Sequence, residues 1–297
     1  MGGESMKCAT VAVIGRPSSG KSTLVNTICE MKVSITAATP QTTRNAIRGI
    51  YTDQRGQLIF TDTPGYHLSE QKLNLKLQET AKASLEETDI VLYVIDPTRK
   101  GGEEELAIAH LLGAIKTPVV AVLNKSDIAS GMEMLEAESF LTTNLPQAKR
   151  LHASAKEDNG VDEILIALFD LAKEGELLYP EDERTDQSLE FRITEIIREK
   201  AIATVTQEIP HAIYVELADL ENQEETNTIW VRAFIVVETD SQKGIVIGAG
   251  GRNIRNIRVA AFKEIKGIFP GRKLQLDLRV KAQPKWRKND QILSRIL

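Results

Sequence analysis

Four apolar runs rich in Val and Ile punctuate the first half of the chain, "ATVAVIG", "GQLIFTDT", "DIVLYVID" and "PVVAVLNKSD". Each is followed by a longer stretch with helical spacing. Runs this continuous predict parallel strands buried on both faces, with crossover helices between them. "AKRLHASAK" makes the last turn of this half, and "DEILIALFDLA", 162–172, predicts an amphipathic closing helix. Polar, acidic, proline-bearing sequence follows and predicts a linker over 174–188, dividing a domain at 1–173 from one at 189–297.

The second half has another rhythm. "LEFRITEIIREKAIATV" places Ile193, Ile196, Ile197 and Ala201 on one helical face. "HAIYVELADL" and "NTIWVRAFIVVE" read as neighbouring antiparallel strands separated by "ENQEET". A short helix "QKGIVI", capped by Ser241, is broken by Gly248, Ala249, Gly250 and Gly251. A second helix then carries Ile254, Ile257, Ala261 and Ile265 on one face. The alternating strand "KLQLDLRVKA" closes the order helix, strand, strand, helix, helix, strand.

At 297 residues, 42% hydrophobic and 27% charged, the chain is long enough for two cores. No apolar run approaches a bilayer span, "MGGESMK" lacks the features of a signal peptide, and Met6 breaks the myristoylation pattern that Gly2 would open. Cys8 and Cys29 are expected as buried free thiols, and the scattered His67, His110, His152 and His211 suggest no metal cluster. The net charge of −5 conceals a division. Residues 240–297 hold 14 Lys and Arg against 4 Asp and Glu, whereas the other 239 residues hold 23 against 38. A basic segment on an acidic protein points to a polyanion, either nucleic acid or an anionic membrane.

Chemistry enters with "GRPSSGKS", Gly15 to Ser22, which fits GxxxxGK[ST] between a strand and a helix. Its residues Gly15, Arg16, Pro17, Ser18, Ser19 and Gly20 can wrap amides around phosphates. Lys21 reaches the β and γ phosphates, Ser22 holds magnesium, and Thr23 begins the helix whose positive end faces the anion. "NKSD" supplies Asn124, Lys125 and Asp127; the Asp127 carboxylate can accept both guanine N1–H and the N2 amine, where adenine offers neither. "SAK", Ser154, Ala155 and Lys156, completes the base loop. "DTPG" adds Asp62, placed for magnesium, with Thr63, Pro64 and Gly65, whose N–H can bond a γ-phosphate only while one is present. "TPQTTRN" at 39–45 and the segment from Tyr66 to about Leu77 are the expected mobile arms, and within the first Thr43 is chosen over Thr42 to close on the metal.

The order and spacing of these motifs, with "PQTTR" and the join "YPEDERTDQ" before "ITEIIREKA", resemble the Era GTPases across nearly the whole chain, from Thr10 to "WRKND". The helix pair around GxxG resembles a type II KH domain, in which the glycines let single-stranded RNA run over the helix junction. The resemblance thus implies an α/β P-loop NTPase domain, mainly parallel with helices on both faces, followed by an α+β type II KH domain. It implies GTP and GDP as ligands, Mg2+ as cofactor, water attack on the γ-phosphate, RNA near the 3′ end of the small-subunit (16S) ribosomal RNA, and a role in 30S subunit maturation in the cytoplasm.

Expected RNA contacts are the amides of 248–251, the row Arg252, Arg255 and Arg258, Lys243 beside them, and Lys285 and Arg287 in the basic tail. Ile245, Ile247 and Ile254 are candidates for an apolar base groove, and Trp286 for either the RNA track or an anchor of the last helix. Ser18 departs from relatives that carry Asn there, a residue that in some of them helps hold potassium (K+), so potassium activation stays open. Tyr66 stands where Ras-like proteins carry a water-orienting Gln, whose lack is usual in the Era-like group, and His67 is expected as a surface residue. A membrane-surface GTPase anchored by the basic tail, peripheral at the inner face of the cell membrane, is the competing reading. A nucleotide kinase would leave "NKSD" and "SAK" without a part.

Overall fold

A computed structural model describes residues 6–36, 46–66, 79, 82–205 and 209–296. These form two compact units, the first ending at Asp186 and the second beginning at Gln187.

In the first unit the described strands are β1 (Lys7–Ile14), β2 (Ile47–Asp53), β3 (Gly56–Asp62), β4 (Ile90–Ile95), β5 (Val119–Leu123), β6 (Lys149–His152) and β7 (Lys173–Glu174). They lie in the order β2-β3-β1-β4-β5-β6, with β7 antiparallel to the start of β1. The central strands are parallel, Val11 opposite Phe60 in β3 and Ile90 in β4. Alternation along β1 serves two cores, because successive side chains leave opposite faces of a strand. Val11 and Val13 pack with Leu24, Phe60, Ile164 and Leu168. Ala12 and Ile14 pack with Tyr93, Ile108, Leu112 and Leu141. Those partners bring in α1 (Lys21–Ile28) and α4 (Val161–Leu171) on one face, and α2 (Glu103–Gly113) and α3 (Gly131–Asn144) on the other.

Two features differ from expectation. β2, "IRGIYTD", pairs antiparallel with β3 at the sheet edge, Ile50 opposite Ile59. The segment expected as a free linker is instead fastened along this edge. Gln57, buried on β3, donates through Nε2 to the Tyr179 carbonyl at 2.9 Å and accepts at Oε1 from the amides of Leu178 and Tyr179, each at 3.0 Å. Ile50 N–H donates to Arg184 O at 2.9 Å, Thr185 Oγ1 to Arg48 O at 2.8 Å, and Arg48 pairs with Asp186 at 3.0 Å. Covering an edge strand removes unpaired backbone groups from water-exposed display. Of the two thiols, Cys29 is buried and pushed up to about 12 by that burial, while Cys8 is half-buried rather than buried.

The second unit has the sheet order β10-β9-β8, from β8 (Tyr214–Gln223), β9 (Thr228–Val237) and β10 (Lys273–Ala282). β9 runs antiparallel to β8 and parallel to β10. Helices α5 (Leu189–Ile202), α6 (Asp240–Ile247) and α7 (Arg252–Ile268) supply the apolar faces that cover one side, Ile193, Ile197, Val246, Ile257, Ala261 and Ile265 meeting Val231, Ala233, Ile235 and Leu276. The cap of α6 is Thr239, not Ser241. Its hydroxyl accepts from Gln242 N–H at 3.2 Å while Gln242 Oε1 accepts from Thr239 N–H at 3.2 Å, a reciprocal box that Ser241, inside the helix, cannot make. Trp286 is fully buried, donates its ring N–H to Ala212 O at 2.9 Å and meets Tyr214 edge-on at 4.8 Å, which makes it the anchor of the chain before α8 (Asp290–Ile296).

Candidate functional site

The loop between β1 and α1 is shaped by what holds its carbonyls. Gly15 O accepts from Lys21 Nζ at 3.1 Å and from Tyr66 N–H at 3.1 Å. Arg16 O accepts from Lys21 Nζ at 3.0 Å, Pro17 O from Arg99 Nη1 at 2.7 Å, Ser18 O from Lys125 Nζ at 2.9 Å, and Ser19 O from Asn124 Nδ2 at 2.9 Å. Five successive carbonyls are therefore drawn to donors. Since a peptide's N–H points away from its C=O, the remaining amides line a concave anion cradle at the start of α1. Gly20 has φ +98, and a Cβ there would meet Asn124 Nδ2 at 2.1 Å, so no side chain fits. Ser18 holds φ +64, a left-handed conformation that Asn adopts more readily than Ser.

Lys21 is buried, and its ammonium is lowered to about 8 by that burial, with Asp62 and Glu105 acting in the opposite direction. Ser22 Oγ donates to Asp62 Oδ2 at 2.7 Å. A hydroxyl and a carboxylate this close are hard oxygen donors of the kind magnesium takes, and the donor set fits that ion. Thr63 is fixed by a 2.7 Å bond from Oγ1 to Val13 O, and Pro64 is buried beside it. Gly65 lies against the loop: a Cβ on it would meet Pro17 Cα at 2.7 Å. Thr23 sits in the first turn of α1, its carbonyl accepting from Thr27 Oγ1 at 3.0 Å. Thr43, both expected mobile arms apart from Tyr66, and His67 lie outside the described residues.

The base loop assembles from two strand ends. Asn124, buried, accepts Ala155 N–H at Oδ1 at 3.0 Å while its Nδ2 holds Ser19, tying "NKSD" to both "SAK" and the phosphate loop. Lys125 pairs with Asp96 at 2.6 Å. Ser154 Oγ donates to Asp127 Oδ1 at 2.6 Å, and this hydrogen bond holds the exposed Asp127 carboxyl below its ordinary value. Lys156 is exposed and pairs with Glu157 at 2.9 Å.

Several members of this constellation were not foreseen. Arg16 Nε meets Glu104 at 3.2 Å and its Nη1 meets Glu105 at 3.2 Å. Glu105 is buried, its carboxyl raised by burial, and it accepts from Tyr93 OH at 2.6 Å. Asp96 and Arg99 follow β4 directly. Their signal was available, since the carboxyl ends of strands gather around the site in an open α/β sheet. Arg99 is the brace without a motif of its own. Arg99→Ala is expected to weaken GDP and GTP binding about fivefold, the scale of one ordinary net hydrogen bond, as titration calorimetry would read. Unchanged affinity would mean that the Pro17 carbonyl needs no donor.

In the second unit the glycine turn makes one 3₁₀ turn, Ala249–Gly251, between α6 and α7. Gly248, Gly250 and Gly251 have φ +72, +58 and +75. A Cβ on Gly248 would meet Asn253 Cγ at 2.8 Å, whose amide donates to Ile245 O at 3.0 Å. Ala249 is exposed. Arg252, Arg255 and Arg258 are exposed and carry no ion pair among the described residues. Lys243 is half-buried, and Lys285 is exposed. Arg287 is differently placed: it is tied to Glu238, its Nε at 3.0 Å. Ile245 is 47% exposed, while Ile247 and Ile254 are half-buried and Ile254 packs on the core.

Comparison with known proteins gives matching assignments. Residues 10–125 match the family described as 50S ribosome-binding GTPase, and residues 208–287 match the KH domain. The chain is 50% identical over 293 residues to GTPase Era of Treponema denticola, covering 98% of this chain and 99% of that protein. It is 40% identical to GTPase Era of Treponema pallidum, covering 99% and 98%. Among solved structures it is similar, at 32% identity and a TM-score of 0.93 over 98% of each chain, to Era in complex with MgGDPNP and nucleotides 1506–1542 of 16S ribosomal RNA. A variant of Aquifex aeolicus Era bound to GDP·AlF4− gives 32% identity and a TM-score of 0.92, again over 98% of each chain.

Proposed function

The chain belongs to the Era family of GTPases, and from there we propose how its own residues divide the work. It hydrolyses GTP to GDP and phosphate with Mg2+, binds small-subunit ribosomal RNA through its KH domain, and acts in maturation of the 30S subunit.

The observation that carries the nucleotide assignments is the pinning of carbonyls 15–19, which leaves the loop amides for phosphate. Lys21 then supplies the charge that balances the β and γ phosphates, and the amides of Ser18, Gly20, Lys21 and Ser22 orient them. Ser22, Asp62 and Thr43 would hold magnesium, which would supply charge screening for the phosphate oxygens. Positioning and electrostatics carry such a reaction, with no covalent intermediate on the protein. Asp127 accepts from the guanine edge, oriented by Ser154, and Asn124 keeps the base loop and phosphate loop in register. Gly65 N–H reports on the γ-phosphate, and its contact with Pro17 brings the "DTPG" turn against the cradle.

For the second unit the assigned contacts are the amides of 248–251 and the cations Arg252, Arg255 and Arg258, with Lys243 and Lys285. Arg287, already paired with Glu238, contributes if RNA competes for it. The RNA is taken to be the small-subunit 3′ end, the segment seen with the Era relative, and the place of action the cytoplasm, where those subunits are assembled.

Gly250→Asp tests the turn. Its Cβ meets nothing within 4 Å, so the cost to the fold is the strain of an aspartate at φ +58, which a thermal melt measures beside the binding, and it sets a carboxylate where a phosphate should lie. RNA affinity is expected to fall about tenfold or more in filter binding while basal GTP hydrolysis stays as it was. Unchanged RNA affinity would remove the turn from the interface. A liposome assay run in parallel addresses the basic segment: no helix among the described residues is long and apolar enough to cross a membrane, and binding to anionic vesicles that survives Gly250→Asp while RNA binding is absent would favour the membrane reading.

A further inference from the structure

α3 breaks a rule on its outer side that its inner side obeys. Met134, Ala137, Phe140 and Leu141 pack against the core, so an amphipathic helix should be polar on the opposite face. There Met132 and Leu135 are each 70% exposed, and Ile128, two residues before the cap Ser130, is 67% exposed. Among the described residues these are the three most exposed large apolar side chains, and all fall within 128–135. A single exposed Leu is ordinary, whereas neighbouring apolar side chains left in water mark a contact surface. Met132 and Leu135, three apart on a helix, are such neighbours. Ser130 and Glu133 fix the helix start in a reciprocal capping box, so the pair is presented on a held element.

Charge decides what this surface can meet. From 126 to 148 the chain has Asp127, Glu133, Glu136 and Glu138 and no Lys or Arg. Glu133 is engaged in the cap and Glu138 meets His152 at 2.6 Å, whereas Glu136 is exposed and carries no ion pair among the described residues, one turn from Met132. A surface whose charges are all carboxylates repels phosphate, which sets aside RNA and an anionic membrane. Size sets aside a lasting dimer through this face. Three side chains offer at most a few hundred Å2, against about 800 Å2 from each partner in a stable interface. What remains is a protein that brings apolar side chains with a Lys or Arg and binds transiently. Methionine suits such a site, because its unbranched, polarisable side chain adapts to the shape it meets.

We propose that Ile128, Met132, Leu135 and Glu136 form a docking ridge for a basic protein of the small ribosomal subunit. The ridge rests on the reading that this chain works on the 30S subunit, and adds to it a protein contact made by the nucleotide unit. Met132 and Leu135 supply the apolar centre, and Glu136 the charge that selects a Lys or Arg. Ile128 follows Asp127 directly and donates its N–H to Lys125 O at 3.1 Å, so the ridge begins in the turn assigned to guanine.

The test titrates the full-length protein against purified 30S subunits, protein-free 16S ribosomal RNA and the segment seen with the Era relative, nucleotides 1506–1542. The double variant Met132→Gln/Leu135→Gln is expected to weaken 30S binding about tenfold, the scale of losing a central apolar contact. Glu136→Lys, which opposes a basic partner, should weaken it about fivefold or more. Binding of both RNAs and basal GTP hydrolysis should stay as in the wild type, which also shows that the variants fold. Leu135→Met, which keeps the apolar contact, should bind 30S subunits normally. A photoreactive side chain at Ser139, exposed one turn beyond Leu135, should cross-link to a ribosomal protein in the 30S complex. Unchanged 30S binding by either weakened variant overturns the ridge, as does equal weakening on protein-free 16S RNA. Cross-linking to RNA alone, or to nothing, overturns it too. A wild-type dimer that the double variant returns to monomer in sedimentation velocity would make a second copy the occupant and overturn it likewise. If the wild type binds RNA but no 30S subunits, the 30S reading fails first and the ridge with it.

Discussion

Lys21→Ala is expected to reduce GTP and GDP affinity by about 100-fold or more, measured with a fluorescent nucleotide analogue. Two losses combine. The variant removes the one buried ammonium aimed at the cradle, and a charged hydrogen bond to phosphate in a desolvated site is among the stronger single contacts a protein makes. It also removes the donor shared by Gly15 O and Arg16 O, so the first turn of the loop loses its shape along with its charge. Deleting the side chain relieves the cost of burying an ammonium whose pKa is already lowered to about 8, so the nucleotide-free protein should melt no earlier than the wild type. That separates a binding defect from a folding defect. Normal affinity would remove Lys21 from the phosphate site.

Asp127→Asn is expected to exchange the base rather than abolish binding. A carboxylate accepts from both guanine donors; an amide accepts with one end and donates with the other, which suits xanthine, where a carbonyl replaces the amine. The Ser154 hydroxyl, 2.6 Å from Oδ1, settles which way the amide turns. Its hydrogen bond goes to the amide oxygen and leaves the NH2 facing the base. Sites built on such hydrogen bonds discriminate by about 10⁴ to 10⁵, and the preference for GTP over XTP should swing by about 10³ or more in competition binding. Retained preference for GTP would refute the contact.

How much of this was legible depends on where the information sits in the chain. β1, β3, β4 and β5 were readable because strands buried on both faces must be apolar throughout. β2 was not, since an edge strand with Gly49, Arg48 and Asp53 carries no continuous run. The strap over 174–186 was read as linker for the same reason: what fastens it is backbone pairing, the buried Gln57 and the polar contacts of Thr185 and Asp186 with Arg48, and none of these leaves a hydropathy signature. In the site, the groups assigned to ligand lie within motifs, whereas the braces come from elsewhere, Arg99 on the Pro17 carbonyl, Asp96 on Lys125 and Glu105 on Arg16, and become visible only once the topology joins them. Thr239 shows the limit at the smallest scale. Thr239 and Ser241 both suit a cap, and only the partner three residues on, Gln242 counted from Thr239, decides between them.

Gln57 has a mechanical consequence. It grips the segment through which the chain leaves the nucleotide unit, and it shares a seven-residue strand with Asp62, the residue that opens "DTPG". An extended strand is stiff along its length, so a pull on that exit and a displacement of the turn that follows Asp62 load the same short beam. The exit segment at Leu178 and Tyr179 and the turn that opens at Asp62 are thus held by one strand, five residues apart along it from Gln57 to Asp62.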